Sequence, residues 1–246
     1  MVGGAKMREK LNLFFPLEYF KTLEMKLFFT ITLSMLIVEY YGWQSPFHYL
    51  FQDSSWYQAL TRNDKFFYAQ VWTTFSFFLL LVLLPALVFK IGIKDINWML
   101  KLPSSSSSKE YVQLYFVMLP ILIFVATKPQ FYQFYPLYRP TSVIDWLYFE
   151  MIYLPQFFAV EFFFRGPALF LASKIKKDIA PMIMMLPYAL IHIHKPFPEA
   201  IGSMFAGLVL GHLALRSQSI WFGVILHMAI ALSMDTLGLY FSGFFN

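Results

Sequence analysis

The chain is 246 residues long, 59% hydrophobic, 21% aromatic and only 13% charged, with a net charge of +5. That balance excludes an ordinary soluble domain and points to a polytopic helical membrane protein. There is no cysteine, which excludes disulfides, thiolate metal sites and a cysteine nucleophile; the mild positive charge fits topology control and contact with anionic lipid rather than nucleic-acid binding.

In chain order, Lys6, Arg8, Lys10, Lys21 and Lys26 surround the run Leu11 to Phe15, the pattern of an interfacial amphipathic helix. The opening is too polar for a cleaved signal peptide. Apolar runs then predict seven spans: Leu27 to Trp43, Phe66 to Phe89, Tyr111 to Thr127, Trp146 to Ser173, Ala180 to His194, Glu199 to Leu215 and Ser219 to Tyr240. With the leading helix, the expected fold is an all-α membrane bundle of seven to eight segments. The serine run Ser104 to Ser108 reads as a linker. It separates a front part (1–110) from a helical core (111–246) that holds every candidate catalytic group.

Threading these spans with the amino terminus inside places Lys90, Lys94, Lys101, Lys109, Lys174, Lys176, Lys177 and Arg216 on that same side. The positive-inside rule predicts this arrangement, with the cytoplasmic membrane as the expected location. The pattern fixes no oligomeric state.

Ionisable residues inside such runs are costly unless they face a partner or a wet cavity. Glu161 and Arg165 stand one helical turn apart in EFFFR, so they share a face; Glu150, eleven residues upstream, falls near that face on an unbroken helix. An ion pair joining spans is the plain alternative to a catalytic role. His192 in YALIHIHKP ends an apolar run, with His194 on the opposite face at the interface. A satisfied core histidine is the alternative there. Glu199 follows in KPFPE, where it would also suit the first turn of a helix. His227 lies mid-segment in WFGVILHMAIALSMD and should face the bundle interior. A carboxylate and two imidazoles on separate spans would make a hydrolytic site: base, water ligand and oxyanion donor.

EFFFRG, YALIH and HMAIA, in that order on successive apolar segments, resemble the CPBP family, the CAAX prenyl endopeptidases and their bacterial Abi-type and bacteriocin-processing relatives. That resemblance covers Trp146 to Asp235. It implies a membrane bundle with an enclosed protease site and a peptide or protein substrate in the bilayer. The implied roles are Glu161 as base, oriented by Arg165, His192 positioning water and His227 stabilising the oxyanion, with Glu199 as reserve acid.

Two positions depart from the family motifs. Val160 replaces the first glutamate of EExxxR, the one generally given the base role, and a one-residue shift turns a carboxylate by about 100° around a helix. Ala231 replaces the asparagine of HxxxN, leaving Ser233, Asp235 or a backbone group to share the oxyanion with His227. No cofactor is required by a glutamate-type mechanism; a divalent metal such as zinc, held by His192, His227 and one carboxylate, is the alternative. Two other functions compete: a non-catalytic binding or immunity protein on the same fold, and a proton-coupled transporter, against which the lack of internal repeats counts.

Overall fold

The computed structural model describes residues 21–89, 99–103 and 108–245, and every regular element among them is helical. The expected amphipathic leader before Lys21, the basic stretch from Lys90 and most of the serine run lie outside these residues. The front part contains α1 (Leu23–Ile37), α2 (Gln44–Phe51), α3 (Ser55–Ala59), α4 (Arg62–Phe77) and α5 (Leu84–Val88). Next come α6 (Ser108–Ala126), α7 (Pro129–Phe134), α8 (Val143–Tyr153), α9 (Gln156–Arg165) and α10 (Pro167–Lys176). The chain closes with α11 (Ala180–Leu190), α12 (Phe197–Ser217) and α13 (Trp221–Phe241).

Caps explain several starts. Thr61 and Asp64 form a reciprocal capping box at α4, and Ser142 caps α8 by accepting from the Asp145 N–H. Among the described residues, five stretches are long and apolar enough to cross a membrane: Arg62–Val88, Ser108–Ala126, Val143–Leu190, Phe197–Ser217 and Trp221–Phe241. The protein is an integral membrane protein. The expected first span corresponds to α1 and its wider π-helical continuation Val38–Gly42.

The expected fourth and fifth spans fall within one 48-residue helical stretch, far longer than one crossing needs. It breaks where the backbone must break: Pro155 cannot donate to α8 and α9 starts after it, while Gly166 and Pro167 separate α9 from α10. The pieces fold back, α9 on α10, α10 on α11, and α11 on α12.

Every residue of α9 from Ala159 to Arg165 is buried, so this helix has no solvent face and is central. The main core gathers Leu27 and Ile31 of α1, Phe77 of α4, Val160 and Phe164 of α9, and Tyr188 of α11. Front and back of the chain thus share one core. A second π-helical turn, Phe78–Leu83, packs on α9, with Phe78 stacked on Phe158 at 5.9 Å. Around the outside, Phe28, Phe75, Phe116, Phe124 and Phe205 are exposed, an apolar surface suited to lipid.

Candidate active site

Burying α9 on all sides buries its charges, and they find each other. Glu161 is fully enclosed and Arg165 is 2% exposed, with Arg165 Nη1 3.3 Å from Glu161 Oε1. The same Oε1 accepts from His227 Nδ1 at 2.9 Å. A carboxylate only accepts, so His227 carries its proton on Nδ1 and keeps a free lone pair on Nε2. His227, at 13%, is the member of this trio with surface outside the core.

Gly223 makes the approach possible. It stands one turn before His227 on α13, and a Cβ there would lie 2.9 Å from Glu161 Oε2. The carboxylate therefore occupies the space of a missing side chain. Nothing in the sequence reading singled out Gly223; its four-residue offset from His227 was the available signal.

His192 sits in the turn after α11. Helix ends leave carbonyls without intrahelical partners, and the Tyr188 carbonyl accepts from His192 Nδ1 at 2.8 Å. That bond again leaves Nε2 as acceptor. The Tyr188 ring gathers the constellation: its centroid is 3.9 Å from the Arg165 guanidinium, 4.8 Å from the His192 ring and 6.3 Å from the His227 ring. Phe157 closes the other side of His227 at 4.5 Å.

Glu161, Arg165, His192 and His227 are thus brought together. Glu199 has a bonded partner of its own. It lies in the first turn of α12 and accepts from the Tyr135 hydroxyl at 2.6 Å, while Lys195 Nζ approaches that hydroxyl at 3.3 Å. Tyr135 sits there because its carbonyl packs against Gly238, where a Cβ would come within 2.3 Å. Burial and the Glu199 charge push the Tyr135 hydroxyl pKa well up, so Tyr135 remains a donor. His194, on the opposite side of the turn from His192, pairs with Glu39.

Glu150 lies in α8, separated from the helix of Glu161 by the turn at Leu154 and Pro155. It accepts from Trp146 Nε1 at 2.8 Å and is buried, as is Asp235. Ser233 donates to the Ala229 carbonyl and meets Tyr115 at 2.9 Å, away from His227. Val160 belongs to the main apolar core and Ala231 to a cluster with Tyr138, Phe149 and Tyr153. Both departures from the family motifs are therefore absorbed into packing.

A metal bridging both imidazoles would need a carboxylate as third ligand. Among the described residues no three His, Asp or Glu side chains are gathered to hold one ion, and Glu161 instead accepts from His227. The arrangement found is a carboxylate–imidazole dyad beside a second imidazole. It can take a proton from water and hold that water in place.

Among the described residues a cavity of about 660 Å³ is lined by Gln156, Tyr153, His194 and Lys195 among others. Glu161, His192 and His227 do not line it. Gln156 and His194 do, each near a site residue in sequence.

Residues 142–233 match the family described as Type II CAAX prenyl endopeptidase Rce1-like. The resemblance to the CPBP family therefore holds from the cap of α8 into α13, the stretch that carries the whole constellation. No curated protein and no solved structure matches the chain.

Proposed function

We propose that this protein is an intramembrane endopeptidase acting on a membrane-associated or lipidated protein, with the His227–Glu161 dyad as its base. One observation carries the assignment of roles. Glu161 is fully enclosed and spends Oε1 on His227 and Arg165, whereas His227 is partly exposed and has a free Nε2. His227 Nε2 removes a proton from water as its oxygen attacks the peptide carbonyl carbon. The tetrahedral intermediate then collapses, the C–N bond breaks, and the same proton passes to the leaving amine. Glu161 holds the imidazole tautomer and balances the imidazolium, as a buried carboxylate does in hydrolytic triads. Arg165 keeps Glu161 ionised and in place. His192, its ring fixed by the Tyr188 carbonyl, accepts the second hydrogen of the water at Nε2. In this reading the amino terminus is cytoplasmic, which the lysine distribution supports.

A second reading has a specific observation behind it. Val160 and Ala231, where the family motifs carry polar groups, are both packed in apolar clusters; a non-catalytic binder on this fold would look the same there. The two separate cleanly in proteoliposomes containing the protein and membrane proteins from its own cells. The protease reading predicts new chain termini by mass spectrometry with the native protein, none with His227→Gln, and persistence under a metal chelator. No new termini with the native protein would favour the binder; cleavage abolished by the chelator would favour the metal mechanism.

A further inference from the structure

A row of amides crosses the bundle from α2 through α4 to α9. Gln44 Nε2 donates to Gln70 Oε1 at 3.0 Å, and Gln70 Nε2 donates to Gln156 Oε1 at 3.2 Å. Gln70 is 1% exposed and Gln156 6%. The direction of the row is set by a hydroxyl. Thr74 Oγ1 spends its one hydrogen on the Ile152 carbonyl at 2.9 Å, so it accepts from Gln70 Nε2 at 3.2 Å. Both N–H groups of Gln70 are then committed, one to Thr74 and one to Gln156 Oε1. Its own Oε1 must face the Gln44 amide nitrogen. At the far end the row stops with the two N–H donors of Gln156 outside it.

Gln156 lines the cavity of about 660 Å³ described above. A buried amide donor needs an acceptor or water. The charged groups on the same wall are already engaged: Glu39 with His194, and Lys195 with Tyr135. What the wall offers a guest is aromatic surface, from Tyr41, Trp43 and Tyr153, and neutral amide donors. Such a wall suits an uncharged carbonyl between apolar side chains. Gln156 opens α9, the helix that carries Glu161 and Arg165, and precedes Phe157, whose ring packs on His227.

We propose that Gln156 is a substrate-positioning residue whose amide donates to a backbone carbonyl of an apolar peptide segment lying in this cavity. The proposal rests on the endopeptidase reading, and its test separates the two. The full-length protein in proteoliposomes is photolabelled with an acetylated, amidated leucine tripeptide carrying a diazirine. Labelling should map to the cavity wall near Tyr153. Gln156→Leu should raise the half-saturating peptide concentration about fivefold, the worth of one net hydrogen bond. Gln156→Met, uncharged and of nearly the same length, lacks the donors and should do the same. Native saturation in both variants, or labelling confined to other surfaces, overturns the proposal. Protein cleavage is scored in parallel. Cleavage with unchanged labelling in both variants removes the subsite and leaves the protease, whereas Gln156-dependent labelling without cleavage removes the protease and leaves the subsite.

Discussion

Replacing Glu161 by glutamine keeps its shape and removes its charge, which makes it the sharpest perturbation of the buried trio. The Arg165 guanidinium would then be a buried cation with no counter-charge, 3.3 Å from a neutral amide. At that separation, with an effective dielectric constant near 20, the lost attraction is about 5 kcal/mol. The amide oxygen can still accept from Arg165 or His227 and the Tyr188 ring still faces the guanidinium, so part is recovered. A destabilisation of about 3–5 kcal/mol is expected, the range for breaking a buried pair from one side. Arg165→Met alone should cost a similar amount. The double variant should cost clearly less than the two together, because neither charge is left stranded. Reversible unfolding in mixed detergent micelles measures all four corners of this cycle. A Glu161→Gln variant within about 1 kcal/mol of native, or strict additivity, would refute the claim that the pair is dry and mutually dependent.

Other expectations follow from the same geometry. Gly223→Ala would force the Glu161 carboxylate away from its place against α13. It should cost about 1–3 kcal/mol and lower cleavage by at least about tenfold, read as the single-turnover rate. His192→Gln removes the ring nitrogen proposed to hold the water and should lower the single-turnover cleavage rate about a hundredfold; native-rate cleavage would remove that role.

The bundle was legible because its signals are local. Long apolar runs mark the spans, and Glu161 and Arg165, four apart on one helix, meet as their spacing requires. His192 and Tyr188 are likewise joined across a single turn. What was not legible depends on breaks and on distant elements. The register between Glu150 and Glu161 assumed one helix, and Pro155 splits it in two. The setting of Glu199 is decided by Tyr135, 64 residues away in sequence, which is itself placed by contact with Gly238. His194 meets Glu39 across 155 residues. The proposed division of labour within the dyad was hidden for another reason. Sequence shows an acid and an imidazole, but the degree of enclosure that keeps Glu161 from solvent and leaves His227 partly open exists only in the folded bundle.

The account turns on which side chain deprotonates water, and single-turnover cleavage by His227→Gln and Glu199→Gln in the same proteoliposomes decides it. Glu199→Gln should cleave within about tenfold of native, since Glu199 serves Tyr135, while His227→Gln should fall by about three to four orders of magnitude. Native-rate cleavage by His227→Gln, or loss of cleavage in Glu199→Gln alone, would contradict it.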